Sequence, residues 1–269
     1  MRFPPSGPAW DAGSRAVLTT ALARLGPSRC VAEILADEVA LSEPRDRRER
    51  AGTAALLDCG AALSAVWTVT RALGREPVVT FPRDDRRPDV VAVVRIGRPR
   101  APTAGERARF AALRDLARPG RAAVLRPVGL AVLGALAGDD FWPDTDVRIV
   151  RPGWTTALER LGAHLTGQSS LLVTTPADSR RHSVLAGAAL HATRLAAAVR
   201  GFASERVPLT PAERSRQAGV LPGVPQGLLL IGLAEPPRRT SSSTVDTKDR
   251  GPRSRQVGTG DRRGGDRRR

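Results

Sequence analysis

A chain of 269 residues with 41% hydrophobic content holds enough apolar material for one large core or two small ones, which excludes a wholly disordered protein. The formal charge of +16 points toward nucleic acid, but eleven Lys/Arg against four Asp/Glu put +7 of it in residues 237–269. The remaining arginines are scattered among carboxylates without interleaved aromatics, which excludes a dedicated nucleic-acid groove and leaves a non-specific, salt-sensitive attraction through the tail.

The first ten residues, MRFPPSGPAW, are Pro-rich and read as irregular. Val17, Leu18, Ala21, Leu22 and Leu25 follow helical spacing in a segment that begins at Asp11 and ends at Gly26-Pro27. Residues 31–41 (VAEILADEVAL) stay open between extended chain and a short helix, and 42–52 read as a charged loop. In LDCGAALSAVWTVTRALGREPVV (57–79) and the residue before it, Leu56, Cys59/Gly60, Leu63, Val66/Trp67, Thr70 and Leu73 recur on one helical face. Gly74 fits the left-handed position after the helix, and 78–81 then read as a strand.

VVAVVRIG (90–97) is the near-continuous apolar run of a strand buried on both faces. Thr103 and Glu106 form a capping box opening a helix through Phe110, Leu113 and Leu116. Beyond it, a short helix is expected over 127–137, a strand over 146–151 and a helix over 154–166. A strand over 169–176 leads to Asp178 as the cap of a long helix, 179–200, with Val184, Ala188, His191, Leu195 and Val199 on one face. A helix over 209–217 and a strand over 226–233 complete the folded part, with no obvious internal repeat. Residues 237–269 hold almost no apolar residues and read as a disordered basic tail. The irregular alternation of helices and buried strands indicates an α/β or α+β layer protein.

Few residues carry chemistry by spacing alone. His164, His182 and His191 lack metal-ligand spacing, and His191, on an apolar stripe, reads as a buried, hydrogen-bonded histidine. No G-x-S-x-G, G-x-G-x-x-G or G-x₄-G-K-[ST] occurs, so no catalytic residue is nominated. Two cysteines make no disulfide framework, and Cys59 reads as an inert, packed thiol. Nothing like a secretory segment follows Met1, and the uncharged apolar run 128–138 is too short for a bilayer, so a cytoplasmic protein without membrane contact is expected. Arginines could still hold a nucleotide phosphate; Ser28-Arg29 and Arg238-Arg239 are the candidates.

LDCGAALSAVWTVTRALGREPVV, DDRRPDVVAVVRIG and PTAGERARFAAL, in that order and spacing, resemble the N-terminal half of the actinobacterial Acg-type, nitroreductase-like FMN family. SSLLVTTPADSRRHSVLAGAALHATRLAAAVRG and AERSRQAGVLPGVPQGLLLIGLAEPPRR resemble its C-terminal half. The resemblance implies an α+β fold with a central, mainly antiparallel sheet flanked by helices. It also implies two related halves in one chain, about 11–120 and 121–236. It further implies an FMN-dependent NAD(P)H oxidoreductase acting on nitroaromatic or quinone-like acceptors, as a monomer or homodimer. In this family the small residues around Gly60 and Gly187 serve close packing rather than catalysis.

This chain departs from the family where the flavin would lie. The early "APS.hN.QPW" segment is GPSRCVAE here, which keeps Ser28 alone; the arginine-rich middle motif shrinks to ARPGRAAV, with Arg121 the matching residue. The arginine before "AGeAL" becomes Val184 or Leu185, and that of "LLRiG" becomes Leu230. The expected cofactor-binding set is therefore Ser28, Arg29, Arg121, Arg238 and Arg239, with no metal. The erosion raises a second expectation: a degenerate member that binds or stores flavin, or binds a partner, without turnover.

Overall fold

The computed structural model describes residues 10–26, 28–44, 52–83, 85–116, 125–150, 168–207, 209 and 223–234. Helix α1 (Ala12–Arg24) begins where the Asp11 carboxylate accepts from Ser14 N at 2.6 Å, and the chain leaves it through Gly26 at a φ of 81°. Residues 31–41 resolve as a hairpin of β1 (Val31–Ile34) and β2 (Glu38–Ser42), paired from Val31↔Ser42 to Ile34↔Val39. What settles them as strands is the inner partner of β2, the strand β4 (Val90–Pro99), against which Val39, Ala40 and Leu41 become buried. With β3 (Arg75–Thr80) the sheet has the order β1-β2-β4-β3, antiparallel throughout.

Only the first half of β4 meets the expectation of burial on both faces. Val90, Val91, Ala92 and Val94 are buried, whereas Arg95 faces water and pairs across the ladder with Glu38 at 2.8 Å. Helix α3 (Ala104–Asp115) opens with the expected capping box, Thr103 Oγ1 accepting from Glu106 N and Glu106 Oε2 from Thr103 N.

Between β2 and β3 runs α2 (Thr53–Ala72), buried on nearly every side rather than along one stripe. It is the one described helix long and apolar enough to cross a membrane, and 72% of its most apolar window lies inside the protein. Gly74, at a φ of 76°, takes the left-handed position that the sequence assigned to it.

The second part comprises β5 (Leu125–Arg126), α4 (Leu130–Ala137), β6 (Asp146–Ile149), β7 (Ser169–Thr175), α5 (Arg180–Val199), β8 (Ala203–Val207) and β9 (Val224–Ala234). Ser179, not Asp178, caps α5: its Oγ accepts from His182 N at 3.3 Å. Val199, assigned to the apolar face, ends the helix and is 41% exposed. The strands order as β6-β7-β9-β8, again antiparallel, with β5 pairing the far end of β9.

Two expectations need correction here. The strands form two sheets rather than one central sheet, because each long helix covers a sheet of its own. An internal repeat of topology also exists although none was visible in the residues. Among the described elements, the succession helix, strand, strand, long helix, strand, strand occurs twice, with the same order of these four strands each time. The coarse assignment to the α+β class holds.

The two long helices nest directly. A Cβ on Gly60 would lie 2.0 Å from the Val184 carbonyl oxygen, and one on Gly187 would lie 2.2 Å from that of Leu57. Both glycines are the eighth residue of their helix, and each opens a Gly-Ala-Ala-Leu run. Backbone-to-backbone contact of this kind gains dispersion energy over a wide area and tolerates no side chain at the crossing. One apolar core joins Leu63, Val66 and Val69 of α2 with Val184, Leu185 and Leu195 of α5 and with both sheets. The helix expected over 154–166, most of that over 209–217, and the tail lie outside the described residues.

Candidate functional site

A cavity of about 220 Å³ lies beside the C-terminal half of α2. Its lining brings together Trp67 and Arg71 of α2, Arg100 after β4, Glu106 and Arg109 of α3, Phe141 after α4, and Leu195 of α5. Trp67 reaches it because it stands two turns beyond the glycine crossing, where side chains hold the elements apart.

Aromatic rings make one wall. Trp67 packs on Phe141 with centroids 5.8 Å apart and edge-on to Trp142 at 5.3 Å, while Phe141 stacks on Trp142 at 5.2 Å. The Arg109 guanidinium lies over the Phe141 ring, 5.5 Å from its centroid.

Charge makes the other wall. Arg71 is 1% exposed, and its guanidinium is saturated. Nε and Nη2 donate to the two Glu106 oxygens at 2.8 and 3.0 Å; Nη1 donates to the carbonyls of Arg75 and Arg100, and Nη2 to that of Ala101. This bidentate hydrogen bonding, above all, holds the Glu106 carboxyl down at about 2. Asp139 lies 3.8 Å from Arg109 and 2.8 Å from Arg200. Arg100 is exposed at the rim, where its charge acts on the Glu76 carboxyl behind the stronger hydrogen bond from Arg98. The cavity therefore offers planar apolar faces beside guanidinium groups, but no group poised to exchange a proton near neutral pH.

The residues nominated from the sequence lie elsewhere. Ser28 and Arg29 are exposed in the turn before β1: Ser28 Oγ accepts from Cys30 N at 3.1 Å, and Arg29 N donates to Asp58 at 3.3 Å. Neither lines the cavity. Arg121, Arg238 and Arg239 lie outside the described residues. Among the described residues no group of three His, Cys, Asp or Glu could hold a metal.

His191 is buried as expected, yet neither ring nitrogen has a hydrogen-bond partner. Burial, helped by the charges of Arg194 and Arg206, pushes its pKa down to about 3. Cys59 is a packed thiol at 0% exposure, donating to the Ser42 carbonyl at 3.5 Å.

No protein-family model matches this chain, and no curated protein matches it either.

Sequence reasoning passed over the whole cavity. One signal was available: Arg71 is a lone cation in an otherwise apolar helix, where a buried charge needs a partner. Glu106 was recognised as a cap, but its second role at Arg71 depends on the packing of α3 against α2.

Proposed function

We propose that this chain is a nitroreductase-like protein of two related halves that binds a small planar aromatic anion beside α2 without turning it over. The observation that carries this reading is the cavity itself, with Trp67 and Phe141 as ring faces and Arg100 and Arg109 as cations at its edge. An aromatic ring gains offset stacking there, and a carboxylate on it gains a charge-assisted contact. At about 220 Å³ the cavity is smaller than the roughly 300–1,000 Å³ that encloses drug-sized ligands, so it suits one ring system rather than a whole flavin nucleotide. Its buried ion pair, Arg71 with Glu106, is committed to itself, which favours binding over proton transfer.

The test uses 4-nitrobenzoate, titrated into the full chain while tryptophan fluorescence is followed. Saturable quenching is expected, weakened about tenfold for uncharged nitrobenzene and lost in Trp67→Leu. Quenching that rises linearly and equally with both compounds rejects the reading.

A second reading is the FMN-dependent NAD(P)H oxidoreductase that passes electrons to nitroaromatic or quinone-like acceptors. The repeated strand order and the Gly60–Gly187 nesting favour it, since the resembling family joins two such halves around its flavin. FMN would supply the hydride-accepting chemistry, with the protein holding and orienting it. On this reading the phosphate contacts are shared among Ser28, Arg29, Arg121, Arg238 and Arg239. A shifted flavin band on adding FMN, followed by bleaching with NAD(P)H, selects this reading over the first. An unshifted band rejects it.

A further inference from the structure

Cys30 and Cys59 are the only cysteines in the sequence, and both are free thiols. Contacts on either side bracket one against the other. Arg29 N donates to Asp58 Oδ2 at 3.3 Å, tying together the residues that immediately precede the two cysteines. Val31, immediately after Cys30, is the cross-strand partner of Ser42, and the Ser42 carbonyl accepts the Cys59 thiol at 3.5 Å. Cross-strand partners lie about 5 Å apart at Cα, so the start of β1 holds the Cys30 sulfur within side-chain reach of the Cys59 sulfur.

Their surroundings differ. Cys59 is fully buried in α2, whereas Cys30 is half-buried at the surface end of β1. Hydrogen bonding to Cys30, then burial, pushes the Cys59 pKa up, so Cys59 keeps its proton at neutral pH. Cys30 is thus the sulfur that an oxidant can reach, and Cys59 the one waiting behind it.

We propose that Cys30 and Cys59 form a dithiol pair that hydrogen peroxide closes into an intramolecular disulfide, with Cys30 attacking and Cys59 resolving. The Cys30 sulfur attacks one peroxide oxygen, the O–O bond breaks, and hydroxide leaves with the thiol proton as water, giving Cys30–S–OH. The Cys59 sulfur then attacks the Cys30 sulfur: the S–S bond forms, the S–O bond breaks, and the departing hydroxide takes the Cys59 proton as a second water. Two thiols and one peroxide give one disulfide and two waters, the sulfurs losing the two electrons that the peroxide oxygens gain. The new bond ties the start of β1, and with it the Ser28-Arg29 turn, to α2 next to the Gly60 crossing. The cavity lies at the other end of α2 and stays open.

The experiment treats the full folded chain with hydrogen peroxide, then unfolds it in iodoacetamide for intact and peptide mass spectrometry. The wild type is expected to lose the mass of two hydrogens, take up no alkyl group and yield a Cys30–Cys59 linked peptide pair; dithiothreitol restores both thiols. Cys59→Ala should fold, because Ala186 occupies the equivalent position in α5, and should carry Cys30 as a sulfenic acid trapped by dimedone. Cys30→Ala should keep Cys59 as an untouched thiol. The proposal fails if the treated wild type still presents an alkylatable Cys59, whether Cys30 is then free, over-oxidised or bonded to a second chain.

Discussion

The two long helices begin alike and end differently. Through their eighth residues both carry the surface that lets them touch: Cys59-Gly60-Ala61-Ala62-Leu63 in α2 and Ala186-Gly187-Ala188-Ala189-Leu190 in α5. Beyond the crossing, α2 places Ser64, Trp67 and Arg71 where α5 places His191, Arg194 and Ala198. Trp67 and Arg71 of the first set line a cavity, and the buried Arg71 is answered there by Glu106 from α3. The second leaves a buried imidazole without partners beside Arg194, whose Nε is also without one. One packing seam is thus built alike in both helices while their ends differ. A crossing that admits no Cβ leaves no room for variation, and a helix end facing loops leaves a great deal.

That contrast breaks most sharply at the seam. Gly60→Val should cost about 4 kcal/mol or more, because the clash is with backbone that cannot step aside, and Gly187→Val should match it. Urea unfolding followed by circular dichroism measures both. If either variant is as stable as wild type, the helices do not nest as described.

Next in size is the answered cation. Arg71→Met should cost about 3 kcal/mol, since Glu106 and three carbonyls lose their donor. Glu106→Gln should cost less, because the amide oxygen still accepts. Equal, negligible losses in both would place the ion pair in water rather than in the core.

The unanswered imidazole predicts a pH dependence. The folded pKa of His191, about 3, lies below the unfolded value of 6.5, so the unfolded chain binds a proton that the folded chain refuses. Stability is full above pH 6.5 and should fall toward pH 3, by at most roughly 1.4 kcal/mol per pH unit from this group. His191→Ser, which copies the residue that α2 carries at that place, should flatten the melting temperature between pH 6.5 and 4.5. Below pH 4.5 a second loss should remain in this variant, as protonation of Glu106 sets in toward its folded value of about 2.

The smallest effect has the opposite sign. Gly134 in α4 is exposed, and a Cβ there would meet nothing within 4 Å. Gly134→Ala should therefore stabilise by about 0.5–1 kcal/mol through helix propensity alone. Thermal melts of Gly134→Ala and Gly60→Val side by side separate a glycine that merely permits from one that is required.

Much of this was legible in the residues, and what was not has a common cause. The Asp11 start, the Gly74 exit and the Thr103–Glu106 box depend on neighbours three or four positions away, and all three stand as read. Residues 31–41 were ambiguous because only pairing with β4, some fifty positions on, decides between strand and helix. Ser28 and Arg29 drew notice as a phosphate pair; the structure adds that the Ser28 hydroxyl accepts from Cys30 N and that Arg29 N donates to Asp58.

By itself the sequence determined the ends of α1, α2 and α3, the apolar strand runs at 90–97, 169–176 and 226–233 and the need for small residues at two distant places, because those rest on local spacing and side-chain size. Only the tertiary structure decided that the two small-residue runs meet each other and that the strands divide into two sheets of identical order. It alone also decided that Trp67, Arg71, Arg109 and Phe141 enclose one cavity. Such contacts join residues dozens of positions apart, and no periodicity within a segment encodes which distant surface will cover it.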